Sequence, residues 1–299
     1  MFEKLKELCK RLGSPYKKKG NRGRKLKFDP IEYTSFIALQ KIFGHRYREM
    51  ELESSLYFND KADHSTFARN YEKIPQEYIE KLVESLVNRE FTFWIADSTA
   101  ISSKIRIERT RQGTRNKELL TDKYHIIIGY DPPSNATMIL GVKATDNHVS
   151  DSRGAIEILN NKKSNSYFLG DSAYNTYELH EIINKVGLYP IIKPDKKGIR
   201  KPFSRKSKNV KLFCKNIYKE IRAVVETVFG GATNAGLILS LAKKEHNRRL
   251  DTLMLALRHN LMANIKANLI KIFRVFMRQT LLVGAVNSLV LSFISLNDF

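Results

Sequence analysis

The feature that most restricts the fold of this chain is an alternation of strand-like and helix-like segments that begins at residue 91. Five segments rich in aromatic and β-branched residues predict strands, at 91–97, 123–130, 137–144, 166–171 and 188–193. Helix-like segments follow the third and the fourth of these strands. Strands that alternate with helices predict a mixed sheet covered by helices, so we expect an α/β fold from residue 91 onward.

The first 90 residues have a different pattern, with apolar side chains at three- and four-residue steps that predict several short helices. Asp29 and Pro30 form an N-cap and first-turn pair for one of them, and Gly44 is expected to end it. We expect His64 and Ser65 to cap another. Several short helices in a basic protein can form a helix-turn-helix-like module. A small helical bundle without a DNA contact fits the pattern equally well.

The charge of the chain indicates a polyanionic partner. Lys and Arg number 52 against 31 Asp and Glu, which gives a formal net charge of +21. A field of this size attracts polyanions, and neutralisation of phosphates supplies most of the binding energy for nucleic acid. The alternative from charge alone is a basic protein of another class, such as one bound to ribosomes or to a membrane surface.

Cysteine usage and the two termini bear on location. Two cysteines, Cys9 and Cys214, with no CxxC pair, exclude a zinc ribbon and favour a reducing, cytoplasmic setting. The charged N-terminal segment does not resemble a secretory signal. Residues 280–296 carry no charge, but this run is short for a membrane span and contains Asn287 and three serines. A packed helix or strand is therefore favoured over a membrane anchor.

Two basic segments are candidates for DNA contact. Residues 17–27 contain seven basic residues and no acidic one, and residues 193–215 contain ten against the single acid Asp195. Such segments can bind phosphates or enter the minor groove, and the alternative for each is a solvated loop. The predicted DNA-binding residues are Lys17, Lys18, Lys19, Arg22, Arg24, Lys25, Lys196, Lys197, Arg200, Lys201, Arg205 and Lys206.

Two of the predicted strands end in the same way, with an aspartate followed by serine. Asp97 follows the apolar run FTFWIA, and Asp171 follows SYFLG. If these strands are neighbours in the sheet, the carboxylates repel each other unless a cation offsets their charge. Carboxylate oxygens suit Mg²⁺ or Mn²⁺, so the sequence predicts a divalent metal site at the strand ends.

A third ligand is expected from an element that packs over the same edge of the sheet. Glu226 lies on the helix after the last predicted strand, at four-residue steps from Arg222 and Tyr218. Arg222 could steady the Glu226 side chain or bind a phosphate. The alternative is that Arg222 and Glu226 form an ordinary pair on the polar face of an amphipathic helix. Gly230 and Gly231 are expected to end this helix.

The order and spacing of these motifs resemble the ribonuclease H-like catalytic domain of DDE transposases, in particular those of bacterial and archaeal insertion sequences. ADST around Asp97 and LGDSAY around Asp171 are similar to the first two family motifs, and the segment through Tyr218, Arg222 and Glu226 is similar to the third. The segment TDNHVSDS, residues 145–152, also resembles the family. The resemblance extends from about residue 20 to residue 270.

The resemblance implies a fold, an activity and partners. It implies a helical DNA-binding region (1–90), a ribonuclease H-like domain (91–272) with a basic insertion (194–216), and an apolar tail (273–299). Asp97, Asp171 and Glu226 would hold two Mg²⁺ or Mn²⁺ ions, with Tyr218 and Arg222 in support. The implied reaction is cleavage at transposon ends and strand transfer into target DNA, by a homodimer on double-stranded DNA in a prokaryotic cytoplasm near the nucleoid. No small-molecule substrate is expected.

Two alternatives to an active transposase stay open. Thr233 stands where the resemblance would place Lys or Arg, and the tail has no counterpart in the family pattern. These departures favour a transposase-derived DNA-binding protein that has lost catalysis. A metal-dependent nuclease on the same fold, which cuts DNA without joining it, is the third possibility.

Overall fold

The computed structural model describes residues 1–17, 27–111, 114–195, 204–211, 213–234 and 242–296. Within these ranges the helices are α1 (Phe2–Leu12), α2 (Pro30–Ile42), α3 (Tyr47–Tyr57), α4 (His64–Tyr71), α5 (Gln76–Ser85), α6 (Asp151–Leu159), α7 (Tyr177–Val186), α8 (Arg205–Val210), α9 (Lys215–Asn234) and α10 (Glu245–Leu296). The strands are β1 (Phe93–Arg111), β2 (Thr114–Asp131), β3 (Ala136–Asp146), β4 (Tyr167–Gly170) and β5 (Tyr189–Ile192). Short 3₁₀ helices follow β2 and β4.

The five strands form one mixed sheet in the order β3-β2-β1-β4-β5. Strand β2 runs antiparallel to its neighbours β1 and β3, whereas β1, β4 and β5 run parallel. Helices α6 and α7 provide the crossovers that parallel strands require. The prediction of a ribonuclease H-like mixed sheet flanked by helices, preceded by an all-helical region, is therefore confirmed.

The strands β1 and β2 are much longer than the sequence pattern predicts. The prediction placed these strands at 91–97 and 123–130, but their pairing continues to Arg111 and Thr114. Beyond the Asp122–Asp146 pair, β2 has no described pairing with β3, so residues 102–111 and 114–121 extend as a two-stranded ribbon. Many charged residues in this segment hid the strand signal, although the alternation in KIRIE, residues 104–108, is a strand pattern.

Local capping follows the predictions in part. The Asp29 carboxylate accepts hydrogen bonds from the N–H groups of Ile31 and Glu32, and Pro30 opens α2, as predicted. The cap of α4 differs from the prediction, because Asp63 caps it and His64 is its first helical residue. Helix α9 also continues through Gly230 and Gly231 to Asn234. Glycine weakens a helix interior by about 1 kcal/mol, which does not by itself end a helix.

The N-terminal helices pack into the same compact unit as the sheet, and this unit comprises Met1–Asn260. At its centre, Asn260 is fully buried and its side chain bonds the N–H and C=O of Ile139 on β3 and the C=O of Val83. These bonds satisfy backbone groups of β3, the strand at one edge of the sheet, where water has no access. Leu261–Phe299 forms a second unit, in which α10 continues to Leu296.

The apolar tail was expected to be a packed helix or strand, and its backbone is helical to Leu296. Among the residues that the structure describes, no helix has the length and apolar character needed to span a membrane.

Buried polar contacts hold α8 against α7. His180 is buried between two amides, since Asn209 Nδ2 lies 3.0 Å from its Nδ1 and Asn175 Oδ1 lies 2.9 Å from its Nε2. Asn209 donates to Nδ1, so His180 is neutral with its proton on Nε2. Burial, with a smaller effect of Lys206, lowers the pKa of His180 from 6.5 to about 4.

Folding stability is expected to fall between pH 7 and pH 5 because of this histidine. Its folded-state pKa lies below the unfolded value, so its contribution is present above pH 6.5 and is lost as the pH falls toward 4. The loss by pH 5 is roughly 2 kcal/mol. Thermal unfolding of His180→Gln should show a weaker pH dependence than that of wild type. His148→Gln, at an exposed histidine, should not change it, and equal pH profiles for all three proteins would contradict this prediction.

Candidate active site

The register of two parallel strands places the predicted aspartates side by side. Phe93 pairs with Tyr167 and Ile95 with Leu169, so continuing this register by two residues brings Asp97 level with Asp171. Neighbouring strands lie about 4.8 Å apart. The position of Asp97 is fixed further by β2, where its antiparallel partner is the buried Ile126. The strand register therefore brings the two aspartates to neighbouring strand ends.

Asp171 directly follows β4 and is the N-cap of the short 3₁₀ helix Ser172–Tyr174. Its Oδ1 accepts a hydrogen bond of 2.8 Å from the backbone N–H of Ala173. This bond occupies one carboxylate oxygen with a local cap and fixes the orientation of the side chain. The small residue Ser172 and the buried Tyr174 complete the turn, which explains the LGDSAY pattern at this strand end.

Helix α9 lies over the same face of the sheet and brings Arg222 to Asp97. Arg222 Nη2 is 2.8 Å from Asp97 Oδ1, and both side chains are largely buried. Ile221, Val225 and Val228 form the buried stripe of α9, and Phe229 contacts Tyr124 of β2 edge-to-face at 6.1 Å between ring centroids. Arg222 therefore forms its ion pair with Asp97, the aspartate of the first motif.

The charges of Arg222 and Asp171 act on the pKa of Asp97. Burial raises the pKa of the Asp97 carboxyl above its ordinary value; the Arg222 guanidinium and the Ser98 N–H offset part of this, and the Asp171 carboxylate adds to it. Burial also raises the pKa of the Tyr218 phenol, although Arg222 acts against it. Asp97 and Asp171 are thus close enough to repel each other, with Arg222 as the cation that partly compensates Asp97.

Glu226 lies one helical turn beyond Arg222, and its side chain is exposed. Within the described part of the chain, the only group of three potential ligands whose atoms lie within 4.8 Å of one another is Glu51, Asp63 and His64. The oxygens of Asp97, Asp171 and Glu226 therefore do not form so tight a cluster in this conformation. The cluster at Glu51 is explained by an ion pair with Lys61 and the bonds of Glu51 to His64.

The residues at the sheet edge fit a divalent cation. Two hard carboxylates lie at adjacent strand ends, and a guanidinium already stands against one of them as a positive charge. Arg222 Nη1 is buried with no hydrogen-bond partner, so the arginine is not saturated by the groups around it. A further anionic or oxygen-bearing partner would satisfy this donor, as a phosphate would.

Two residues near Asp97, Asp151 and Lys123, are not predicted from the sequence to lie there. Ser150 caps α6, and the Asp151 carboxylate accepts hydrogen bonds from Ser98 and Lys123. Lys123 is the residue of β2 opposite Ala100. The pattern DNHVSDS, residues 146–152, gave the only sequence signal for Asp151, and nothing in the sequence singled out Lys123.

The predicted DNA-binding residues are only partly within the described ranges. Lys17 is exposed at the start of the first basic segment. The side chain of Arg205 lies outside the described part of the structure. Lys206 is buried, with its ammonium 3.1 Å from Asp195 and over the Tyr177 ring, so it anchors α8 and does not face solvent. The others lie outside the described residues: Lys18, Lys19, Arg22, Arg24, Lys25, Lys196, Lys197, Arg200 and Lys201.

One comparison with known protein families agrees with the resemblance to DDE transposases. A search of curated proteins found no match. A family model described as the transposase DDE domain matches residues 92–261, which include the whole sheet, Asp97, Asp171 and α9. Because this match covers more than half of the 299 residues, the chain belongs to the DDE transposase family.

Proposed function

We propose that this protein is an active transposase that cuts DNA at the ends of its element and joins the cut strand to target DNA. The observation that supports the proposal best is the strand register that sets Asp171 beside Asp97, with Arg222 from α9 on Asp97. A pair of carboxylates at adjacent strand ends and a third on an overlying helix is a donor set for metal-assisted phosphodiester chemistry.

In this proposal Asp97, Asp171 and Glu226 hold two divalent cations, Mg²⁺ or Mn²⁺. The ions, when bound, supply an activated water and charge stabilisation at the leaving oxygen. The proposal is supported by the position of Asp171, which follows β4 beside Asp97, and by Glu226, which belongs to the helix whose Arg222 contacts Asp97. Bringing the exposed Glu226 inward requires a change of its rotamer or a shift of α9.

Arg222 has a second role in the proposed reaction. Its Nη2 holds Asp97, and its unpartnered Nη1 is available to a phosphate oxygen of the bound DNA. A planar guanidinium can bond two oxygen ligands at once, which would orient the phosphodiester against the carboxylates. Tyr218, one turn earlier on α9, interacts with Arg222 and restricts its orientation.

The DNA partner is supported by charge. The net charge of +21 attracts the phosphate backbone. The basic segment 17–27 lies between α1 and α2 in the sequence, and 193–215 lies between β5 and α9. Lys206 is excluded from these contacts by its burial. We further propose that two copies of the chain act together on DNA, since joining two element ends requires both to be held at once.

A DNA-binding protein without catalysis is the second candidate. Thr233 in place of a basic residue, and the absence of a tight three-carboxylate cluster among the described residues, favour it. The two functions make different predictions for a labelled duplex that carries the element's own ends, incubated with the full chain and Mg²⁺.

The active transposase is expected to release a strand with a free 3′-hydroxyl and to form a longer product with target DNA. Cleavage without the longer product would identify a nuclease. Binding of the duplex with no cleavage in Mg²⁺ or in Mn²⁺ would establish the second candidate and overturn the first.

A further inference from the structure

A polar network lies behind β1, on the face opposite to Asp97. Side chains alternate along a strand, so Ser98 and Ala100 point away from Asp97, as do their partners His125 and Lys123 on β2. Ser98 Oγ donates to Asp151 Oδ1 at 2.6 Å. Lys123 Nζ lies 2.5 Å from the same oxygen and donates to the Val149 carbonyl at 3.1 Å. The carboxylate thus joins β1, β2 and the start of α6.

Tyr174 connects this network to the second aspartate motif. It is almost fully buried in the turn that follows Asp171, and its phenol lies close enough to the Ser98 side chain for the two hydroxyl groups to interact. The ring packs tightly under the end of β4, because a Cβ added at Gly170 would lie 2.9 Å from the Cβ of Tyr174. A chain of polar contacts therefore runs from Tyr174 through Ser98 to Asp151 and Lys123.

We propose that this Ser98 network, formed by Ser98, Asp151, Lys123 and Tyr174, is a positioning device that sets the separation of Asp97 and Asp171. The inference rests on the proposed function, in which these two carboxylates hold divalent metal. Ser98 is the residue after Asp97, and Tyr174 is three residues after Asp171. The contact between the Tyr174 and Ser98 side chains therefore connects the two strand ends, on the side of the sheet that the metal does not use.

Main-chain pairing alone leaves this separation loosely controlled. The last printed pair of β1 with β4 is Ile95 with Leu169, two residues before the aspartates, and β4 ends at Gly170. Beyond that point no ladder hydrogen bond joins the two strands, so side chains must hold them together. Loss of residues that orient metal ligands costs about 10- to 100-fold in metal affinity in other proteins.

The test measures Mn²⁺ binding to the full chain by calorimetry, without DNA, in wild type and four variants. Tyr174→Phe and Ser98→Ala each remove one hydroxyl of the network. Ser98→Thr keeps the hydroxyl on a residue that strands favour. Tyr78→Phe is the matched control, because this buried phenol bonds the carbonyls of Cys9 and Gly13 in the N-terminal helices. Asp97→Asn removes the metal ligand itself and shows whether the measured site is the proposed one.

The proposal predicts that the dissociation constant for Mn²⁺ rises about tenfold in Tyr174→Phe and in Ser98→Ala. It predicts the wild-type dissociation constant for Mn²⁺ in Tyr78→Phe and in Ser98→Thr. Tyr78→Phe and Tyr174→Phe are both expected to lower the unfolding temperature. The same two network variants should slow DNA cleavage while DNA affinity stays unchanged. A purely structural role would lower stability without the selective loss of Mn²⁺ affinity.

Wild-type Mn²⁺ affinity in Tyr174→Phe and Ser98→Ala, together with loss of binding in Asp97→Asn, would overturn the positioning role and leave the proposed function intact. Wild-type protein that binds no Mn²⁺, or binding that Asp97→Asn does not affect, would overturn the proposed metal site and this inference with it.

Discussion

Asp171→Asn is expected to lower the rate of metal-dependent DNA cleavage by at least about a thousandfold, which corresponds to about 4 kcal/mol of transition-state stabilisation. The variant should fold normally, because the amide oxygen of asparagine can still accept the hydrogen bond from the Ala173 N–H. Only the negative charge and one oxygen ligand are lost. Binding of the DNA duplex should stay at the wild-type level, since the basic segments are unchanged.

Asp146→Asn is the matched control for this prediction. Asp146 also ends a strand, and its Oδ1 accepts a 2.9 Å hydrogen bond from the N–H two residues further on, at His148. Asp146 shares the local geometry of Asp171, but it belongs to β3 and so lies outside the proposed metal site at the ends of β1 and β4. Cleavage at the wild-type rate is expected for Asp146→Asn. Equal activity of Asp171→Asn and wild type would remove Asp171 from the metal site.

Asp122→Asn is expected to lower the free energy of unfolding by about 3–5 kcal/mol. Asp122 is buried, and its two carboxylate oxygens lie 2.9 Å from Arg248 Nε and 3.4 Å from Arg249 Nε. Both arginines belong to the first turns of α10, so the interaction ties this helix to β2 where the ribbon begins. Without the carboxylate charge, the buried Arg248 guanidinium has lost its anionic partner, and such a loss is costly in a low-dielectric interior.

Thermal unfolding measures this effect, and a fall of about 10 °C in the midpoint is expected. The control is Asp60→Asn, because the Asp60–Lys27 pair at 2.6 Å is exposed, and exposed ion pairs add little to stability. A similar small change in both variants would show that the Asp122 pair does not hold α10 to the sheet.

The strand ends that carry Asp97 and Asp171 could be predicted because the signal is local. A continuous apolar run identifies a strand covered on both faces, and the residue that follows the run lies at the edge of the sheet. The order of strands and helices then limits the topology, since parallel strands need a crossover between them. The sequence carries both kinds of information without any tertiary contact.

The features that could not be predicted depend on contacts between distant residues. Because Lys206 belongs to a basic segment, the sequence predicts that it binds DNA. In the structure it is buried through its contacts with Asp195 and Tyr177. Asp151 has the position of a helix cap, and only the fold brings Ser98 and Lys123 to it. In each case tertiary packing decides between two locally acceptable states.

The central claim of this account is that Asp97, Asp171 and Glu226 hold divalent cations in the complex with DNA. The most direct measurement is a crystal structure of the full chain bound to a duplex of its element ends and soaked in Mn²⁺, with anomalous diffraction recorded for manganese. The account predicts anomalous peaks ligated by Asp97 and Asp171, with Glu226 turned inward from its exposed position. Peaks elsewhere, or DNA bound with no manganese at these carboxylates, would contradict it.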